Sequence, residues 1–414
     1  MRQSLSLDRH VQRGAVPVLL AVALMYVSLG VVLGFVQGGV ATILRARGVE
    51  LAAMRWVFAL YIPFGVAFLW APWVDRWRMP WLGRRTGWIT AAQGLAVVLV
   101  AALAAGEAWP PALQIALGLA TTVSMATMDL ALDALTVEQV HAEQRPLAAA
   151  AKVGGLSLGA VLGGGVLVGL FPTLGWQWTF VSIAALIALA AVPVLALVRR
   201  DAAHQAQAPV RPRLLATLRQ PAMQRRLLKI SLVTCALMAL FNFNRLMLVD
   251  LQVPLERIGW VLGTMAPLAN LAASAIAPWL MQGLARPKVL WALVLLCLAS
   301  TALTAWAYAQ YMPGVAMAGA VLIGACVSAI YIVLGASILA WARGHQAATD
   351  YALLYGVGRF IGTLALFGLP GLIPLVGWAA FYGVCGVALV GTVWVFIGEA
   401  ARGSSGSAAP TKEE

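Results

Sequence analysis

Apolar residues fill most of the chain in runs of membrane-spanning length, and short polar segments separate these runs. A helix needs about 20 apolar residues to cross a hydrocarbon core of about 30 Å. The runs are continuous rather than alternating, which favours helices over the strands of a barrel. The pattern predicts an all-α polytopic membrane protein with twelve transmembrane helices, near residues 15–44, 52–73, 86–106, 112–137, 147–171, 177–198, 227–249, 257–282, 288–309, 313–341, 349–373 and 377–398.

Composition supports this class, because 62% of the residues are hydrophobic, only 10% are charged and the mean hydropathy is +0.88. A soluble protein keeps a mixed, charged exterior that this chain could not supply. The net charge of +13 invites a nucleic-acid interpretation, but no basic stripe with interleaved aromatic residues is present in the sequence. Most Lys and Arg residues fall in alternate predicted loops instead. By the positive-inside rule, this distribution predicts that both termini are cytoplasmic.

A long polar stretch divides the predicted spans into six before and six after it. A short repeat supports the division, since Ala71–Val74 (Ala-Pro-Trp-Val) resembles Ala277–Leu280 (Ala-Pro-Trp-Leu), and each copy ends an apolar run. Such halves are typical of transporters built from two parallel repeats. The predicted organisation is an N-terminal six-helix half at 1–198, a cytoplasmic linker at 199–226, a C-terminal six-helix half at 227–402, and a disordered cytoplasmic tail at 403–414.

Two carboxylates lie inside the predicted fourth span, where charges are costly and usually functional. Asp129 and Asp133 are four residues apart and therefore share one helix face. Repulsion between them would favour protonation of one at working pH, which suggests proton coupling or substrate binding. All four histidines fall in predicted loops, which leaves these carboxylates as the candidate proton carriers. The alternative is an ion pair that joins helices, with Lys152 or Arg359 as the partner.

Cationic and amide side chains in the second half are candidates for the wall of a binding cavity. Asn242 and Arg245 are three residues apart, and Arg245 could either meet an anionic group on a solute or extend outward from its position near the end of the span. Arg359 lies deeper in its span and is the stronger candidate for a cavity or buried pair. Other polar residues at similar depths could line the cavity or simply form hydrogen bonds between helices; they are Gln37, Gln93, Asn270 and Tyr331.

A charged turn at Trp70–Trp88 stands between two apolar runs and contains Asp75 followed by Gly83, Arg84 and Arg85. This turn resembles the loop between the second and third helices of major facilitator transporters, and most closely that of AmpG-like permeases. The resemblance implies a conformational latch on the cytoplasmic side, formed by the carboxylate and the basic cluster. The segments Asp129–Ala134 and Leu248–Gly259 also resemble the AmpG-like pattern.

Within that family, the length of 414 residues, the twelve spans and the short tail resemble the rhizobactin and pyochelin permease branch. This resemblance implies an inner-membrane secondary transporter that works as a monomer and imports a ferric siderophore, ferripyochelin, by alternating access driven by the proton gradient. The alternative solute is a muropeptide or another peptide or sugar compound. A receptor or scaffold that binds without transport is the alternative from another class.

Enzymatic and ATP-driven chemistry find no support in the sequence. There is no phosphate-binding loop of the Gly-x-x-x-x-Gly-Lys-Ser/Thr type, and no nucleophile triad or metal-ligand spacing emerges. The sequence therefore predicts no enzyme, no catalytic residue, no metal and no cofactor. The predicted partners are a small-molecule solute and the lipid bilayer, without nucleic acid.

Overall fold

The computed structural model describes residues 2–77, 82–139, 145–203, 218–341 and 347–405. Within these ranges every regular element is a helix. Short 3-10 and π-helical turns interrupt several of them. The α-helices are α1 Arg2–Phe35, α2 Ala41–Ala46, α3 Arg55–Phe58, α4 Ile62–Val66, α5 Ala71–Arg76, α6 Arg84–Ala105, α7 Pro111–Gln139, α8 Arg145–Val161, α9 Leu167–Gly169, α10 Phe171–Ala191, α11 Val194–Ala203, α12 Pro221–Asn242, α13 Asn244–Asp250, α14 Leu255–Trp260, α15 Ala266–Gly283, α16 Arg286–Ala309, α17 Pro313–Trp341 and α18 Ala347–Ser405.

Several long helices follow the predicted apolar runs closely, whereas α1 begins at Arg2, well before the predicted start at residue 15. α6 corresponds to the predicted span 86–106, and α16 corresponds to 288–309. Each helix begins and ends within two residues of the prediction. α7 and α17 begin at Pro111 and Pro313, where a proline costs no hydrogen bond because the first N–H groups of a helix have no partner inside it. Nine helices in the described ranges are long and apolar enough to cross a membrane. The total of twelve spans therefore stays a prediction.

Two predicted spans are not single regular helices. The second is divided into short pieces between Leu51 and Arg76, and the eighth consists of α14, a π-helical turn at Val261–Met265 and α15. Residues 353–398 form one apolar helical segment of 46 residues, about 70 Å at 1.5 Å per residue, which exceeds a single crossing. Its backbone turns at Gly377, where φ is 79° and ψ is 162°, a conformation that glycine adopts without a steric penalty. The segment is therefore long enough for two crossings.

The helices pack into two units that do not coincide with the predicted sequence halves. The first unit comprises Met1–Ile43, Val66–Pro209 and Leu255–Thr264, and the second comprises Leu44–Gly65, Val210–Pro254 and Met265–Glu414. This grouping describes packing, and the division into two repeated six-helix halves stays a prediction. Half of the predicted linker (204–217) and most of the predicted tail (406–414) lie outside the described residues.

The first unit is centred on α1, which packs along α8, while α6 lies against α7 and α10. Glycines make the α1–α8 contact close. A Cβ added at Gly159 would lie 2.2 Å from the carbonyl oxygen of Val27, and one added at Gly34 would lie 2.6 Å from the Cα of Ala160. In the same unit, α14 packs on α9. These contacts bring α1, α7 and α8 together around a group of charged side chains.

The second unit is built around α18, which packs along α12, while α15 and α16 pack against α17. The segment from Leu51 to Phe58 also packs on α18. Aromatic rings fill its core: the ring centroids of Phe58 and Phe243 are 5.3 Å apart, and those of Phe243 and Phe381 are 5.2 Å apart. This arrangement places Phe58 of α3 and Phe381 of α18 against Phe243, at the junction of α12 and α13.

Candidate functional site

The predicted carboxylate pair in α7 forms an ion-pair cluster within the first unit. The Nζ atom of Lys152 in α8 lies 2.7 Å from each carboxylate oxygen of Asp133 and 3.2 Å from Oδ1 of Asp129. Tyr26 of α1 donates a hydrogen bond from its hydroxyl to Oδ1 of Asp133. The Lys152 ammonium also lies 4.8 Å from the centroid of the Tyr26 ring. Of the two expected partners for the carboxylates, the structure therefore places Lys152 beside them.

The cluster remains partly accessible despite its position within long apolar helices. The side chain of Asp133 is 51% exposed, and those of Asp129 and Lys152 are each 31% exposed. An ionised side chain facing lipid is costly, so this face is expected to border a water-filled space. The ammonium offsets the repulsion between the carboxylates on which the proton-carrier interpretation partly depended. A role in proton coupling stays a prediction.

A second polar network surrounds the first turn of α6. Gly83 precedes this helix, and Oδ2 of Asp201 accepts hydrogen bonds from the backbone N–H groups of Arg85 at 2.7 Å and Thr86 at 2.8 Å. The Thr86 hydroxyl donates to the same oxygen at 2.8 Å. The carboxylate thus satisfies N–H groups that have no partner within the helix and favourably meets the positive end of the helix dipole. Asp201 is 3% exposed, so this cap is shielded from water.

The side chain of Arg85 extends from this network to α7. Its Nε and Nη2 atoms lie 3.1 and 2.8 Å from Oε1 of Glu138. Arg84 is only half-buried, and the side chain of Asp75 lies outside the described part of the structure. The two acidic partners seen here, Glu138 and Asp201, were missed at the sequence level. Their positions close to the ends of α7 and α11 were the available signal. The role of the turn as a conformational latch stays a prediction.

In the second unit, several of the predicted cavity residues lie near Tyr61, which was not predicted from the sequence. Its hydroxyl donates to Oδ1 of Asn242 at 3.2 Å, and the charged groups of Arg245 and Arg359 lie near it. The charged group of Arg359 also lies near the hydroxyl of Tyr331. The structure therefore brings together four of the predicted residues from α12, α13, α17 and α18.

The carboxylate closest along the chain to Arg245 has other partners. Asp250 lies at the end of α13. Its Oδ1 accepts a hydrogen bond from Nε of Arg45 at 2.7 Å, and its Oδ2 accepts one from the indole N–H of Trp378 at 2.9 Å. Arg45 also donates to the carbonyl oxygen of Val49 at 3.0 Å. Both oxygens of Asp250 are thus engaged away from Arg245.

The remaining predicted polar residues differ in their surroundings. Gln93 donates to the hydroxyl of Ser28 at 2.9 Å, so it joins α6 to α1. The surroundings of Asn270 favour the orientation in which its amide nitrogen faces Ser328. In that orientation Asn270 donates to Oγ of Ser328 at 2.8 Å and joins α15 to α17. Both fit the alternative of a bond between helices. Gln37 is half-buried in the π-helical turn Val36–Val40. Among the residues that the structure describes, no group of three or more His, Cys, Asp and Glu side chains could hold a metal ion.

Named transporters are similar to part of the chain. Over 163 residues it is 31% identical to the anhydromuropeptide permease of Escherichia coli strain K12, covering 38% of this chain and 33% of that protein. Over 162 residues it is 27% identical to the transporter named AmpG 4 of Rickettsia felis, covering 37% of this chain and 38% of that one. The chain thus spans about a third of the length of these relatives.

Solved structures and a family profile cover more of the chain. A crystal structure of a POT family transporter in complex with a thioalcohol-conjugated peptide superposes with a TM-score of 0.74 at 10% identity, covering 95% of this chain and 97% of that one. At this identity the likeness concerns the fold. The profile of the Major Facilitator Superfamily matches residues 18–248, which is more than half of the chain. The chain therefore belongs to the Major Facilitator Superfamily and is a multi-pass membrane transporter rather than an enzyme.

Proposed function

We propose that this transporter imports a bulky anionic solute across the bacterial inner membrane by alternating access, as a monomer with both termini in the cytoplasm. The first candidate solute is a ferric siderophore of the pyochelin type, on the sequence resemblance given above. The second is an anhydromuropeptide, which the similarity to the permease of that name favours. Both classes carry anionic oxygen groups, so both suit a cationic contact inside the membrane helices.

The observation that carries this proposal is that Arg245 and Arg359 are half-buried within apolar, span-length helical segments of the second unit, Pro221–Asp250 and Leu353–Gly398. An arginine inside a span costs about 2.5–3.5 kcal/mol on insertion scales, so it usually serves a cavity or a partner. The planar guanidinium presents paired donors that match a carboxylate or another oxyanion. Arg245 and Arg359 are therefore the proposed anchors for the solute, with Asn242, Tyr331 and Asn270 as proposed polar contacts.

The charged network in the first unit is proposed to couple transport to the proton gradient. Asp129 and Asp133 would exchange protons as the transporter alternates, while Lys152 offsets their charge in the state described here. The turn that contains Asp75, Gly83, Arg84 and Arg85 is proposed to bias which state is populated.

The experiment that tests this function measures uptake of two solutes by the same cells, with and without this protein and with and without a protonophore. One solute is ferric pyochelin labelled with radioactive iron, and the other is a tritiated anhydromuropeptide. Accumulation of ferric pyochelin that needs both the protein and the gradient supports the first candidate. Accumulation of the anhydromuropeptide alone supports the second. Uptake of neither solute contradicts both assignments.

A matched pair of variants tests the proposed anchor. Arg359→Gln removes the guanidinium that is proposed to bind the solute, and it is expected to lower uptake at least tenfold. Arg257→Gln removes the same group from an exposed position in α14 and is expected to transport normally. Equal effects of the two substitutions would remove Arg359 from the proposed site.

A further inference from the structure

The ion-pair cluster of the first unit has an uneven charge balance. One ammonium, on Lys152, serves two carboxylates, Asp129 and Asp133, so the three groups together carry one net negative charge when ionised. The contact with Asp133 involves both carboxylate oxygens at 2.7 Å, whereas the contact with Asp129 is a single one at 3.2 Å. Asp133 is thus the main resting partner of the ammonium.

The Lys152–Asp133 contact is also the most exposed part of the cluster, since half of the Asp133 side chain is accessible. Exposed ion pairs contribute little net free energy, because water solvates both partners when they separate. A second oxyanion that reaches this face can therefore compete with Asp133 for the ammonium at low cost.

The chemistry of lysine suits such an exchange of partners. Its ammonium is a compact charge on a flexible stem, and its three donors can turn from one oxygen to another without movement of the helix. The Tyr26 ring below the ammonium offers a cation–π contact that does not depend on which anion is bound. The Tyr26 hydroxyl donates to Asp133 independently of Lys152, so the carboxylate keeps a hydrogen bond after the ammonium leaves.

We propose that Lys152 is an anion-binding residue of this transporter, and that Asp133 is the internal competitor that occupies it when no solute is present. The group it takes is a carboxylate or a similar oxyanion. This inference rests on the proposed function in taking the solute to be anionic. It adds a specificity-determining residue in the first unit, where the sequence suggested Lys152 only as a structural ion-pair partner.

The test compares two small probes on the purified full-length protein, salicylate and salicylamide, which share a ring and a hydroxyl and differ in the negative charge. Binding is measured as the dissociation constant from ligand-dependent thermal stabilisation. Asp133→Asn removes the competitor and is expected to tighten salicylate binding about fivefold to tenfold. Lys152→Gln is expected to weaken salicylate binding by about tenfold. The binding of salicylamide is expected to change less than twofold in both variants.

The opposite signs of these two effects separate binding from structural support. If Asp133→Asn weakens salicylate binding, the carboxylate supports the site rather than competing for it, and the proposal is overturned. If Lys152→Gln keeps the preference for salicylate, the anion binds elsewhere, and the proposal is again overturned. Lys288→Gln, at an exposed position in α16, is the control and is expected to leave both constants unchanged.

A double variant keeps the test valid if Lys152→Gln alone does not fold. Lys152→Gln with Asp133→Asn retains the same net charge as the wild-type cluster and is expected to show no preference for salicylate; a preserved preference would overturn the proposal. The probe assay does not need the natural solute. Failure of both uptake measurements would therefore discard the proposed solutes, while the role of Lys152 would be decided separately.

Discussion

The buried cap on α6 allows a prediction whose magnitude follows from the structure. Asp201→Ala removes an acceptor that receives the N–H groups of Arg85 and Thr86 at 2.7 and 2.8 Å. A hydrogen bond to a charged group stabilises the folded state by about 1.5–3 kcal/mol. Removal of the acceptor leaves a buried N–H group without a partner and destabilises the folded state by a similar amount. A loss of about 2 kcal/mol in the local opening free energy corresponds to about 30-fold faster exchange, since 1.4 kcal/mol is a factor of ten.

Hydrogen–deuterium exchange, followed by mass spectrometry of peptides that cover residues 82–90, measures this effect directly. The amides of Arg85 and Thr86 are expected to exchange about 30-fold faster in Asp201→Ala, while peptides from α16 serve as the internal reference. Asp201→Asn keeps an oxygen acceptor and loses the charge, so it is expected to accelerate exchange by only about fivefold. Exchange within twofold of wild type in Asp201→Ala would refute the assignment of this carboxylate as the helix cap.

Three further predictions concern single side chains. Gly83→Ala should raise exchange at the same amides, because a Cβ there would lie 2.3 Å from Oδ2 of Asp201; unchanged exchange would mean that the carboxylate shifts without cost. Asp129→Asn should abolish solute accumulation in cells at normal membrane abundance, and normal accumulation would remove Asp129 from the mechanism. Gly263→Ala should lower disulfide cross-linking between cysteines introduced next to Gly263 and Gly165, because its Cβ would lie 2.0 Å from the Cα of Gly165; Gly154→Ala, whose Cβ meets nothing within 4 Å, is the control.

The fold class could be predicted because each long helix is a local property of the chain. The apolar run that forms α6 is long enough to cross a membrane, and it can be recognised without reference to any distant residue. The second and eighth spans differ, since short 3-10 and π-helical turns divide them. Hydropathy alone gives no signal for such breaks.

The candidate site was predictable only in part, because a sequence pattern identifies a face but not its neighbour. Spacing placed Asp129 and Asp133 on one face, and Lys152 was one of two partners considered. Tyr26 was missed because the sequence shows it only as a tyrosine within an apolar helix. Its hydrogen bond to Asp133 depends on the packing of α1 against other helices. Asp201 was missed for a similar reason, since its acceptor role depends on where α6 begins.

The composition of the two packing units has a consequence for how the chain is synthesised. The first unit includes Leu255–Thr264, and the second includes Leu44–Gly65, so each unit takes a segment from a distant part of the chain. A ribosome that has released residues 1–209 has therefore not yet supplied everything that the first unit needs. Residues 44–65 must in turn wait in the membrane for partners made much later. During biogenesis the first unit remains unfinished until translation passes residue 264, and the second until most of the remaining chain has been made.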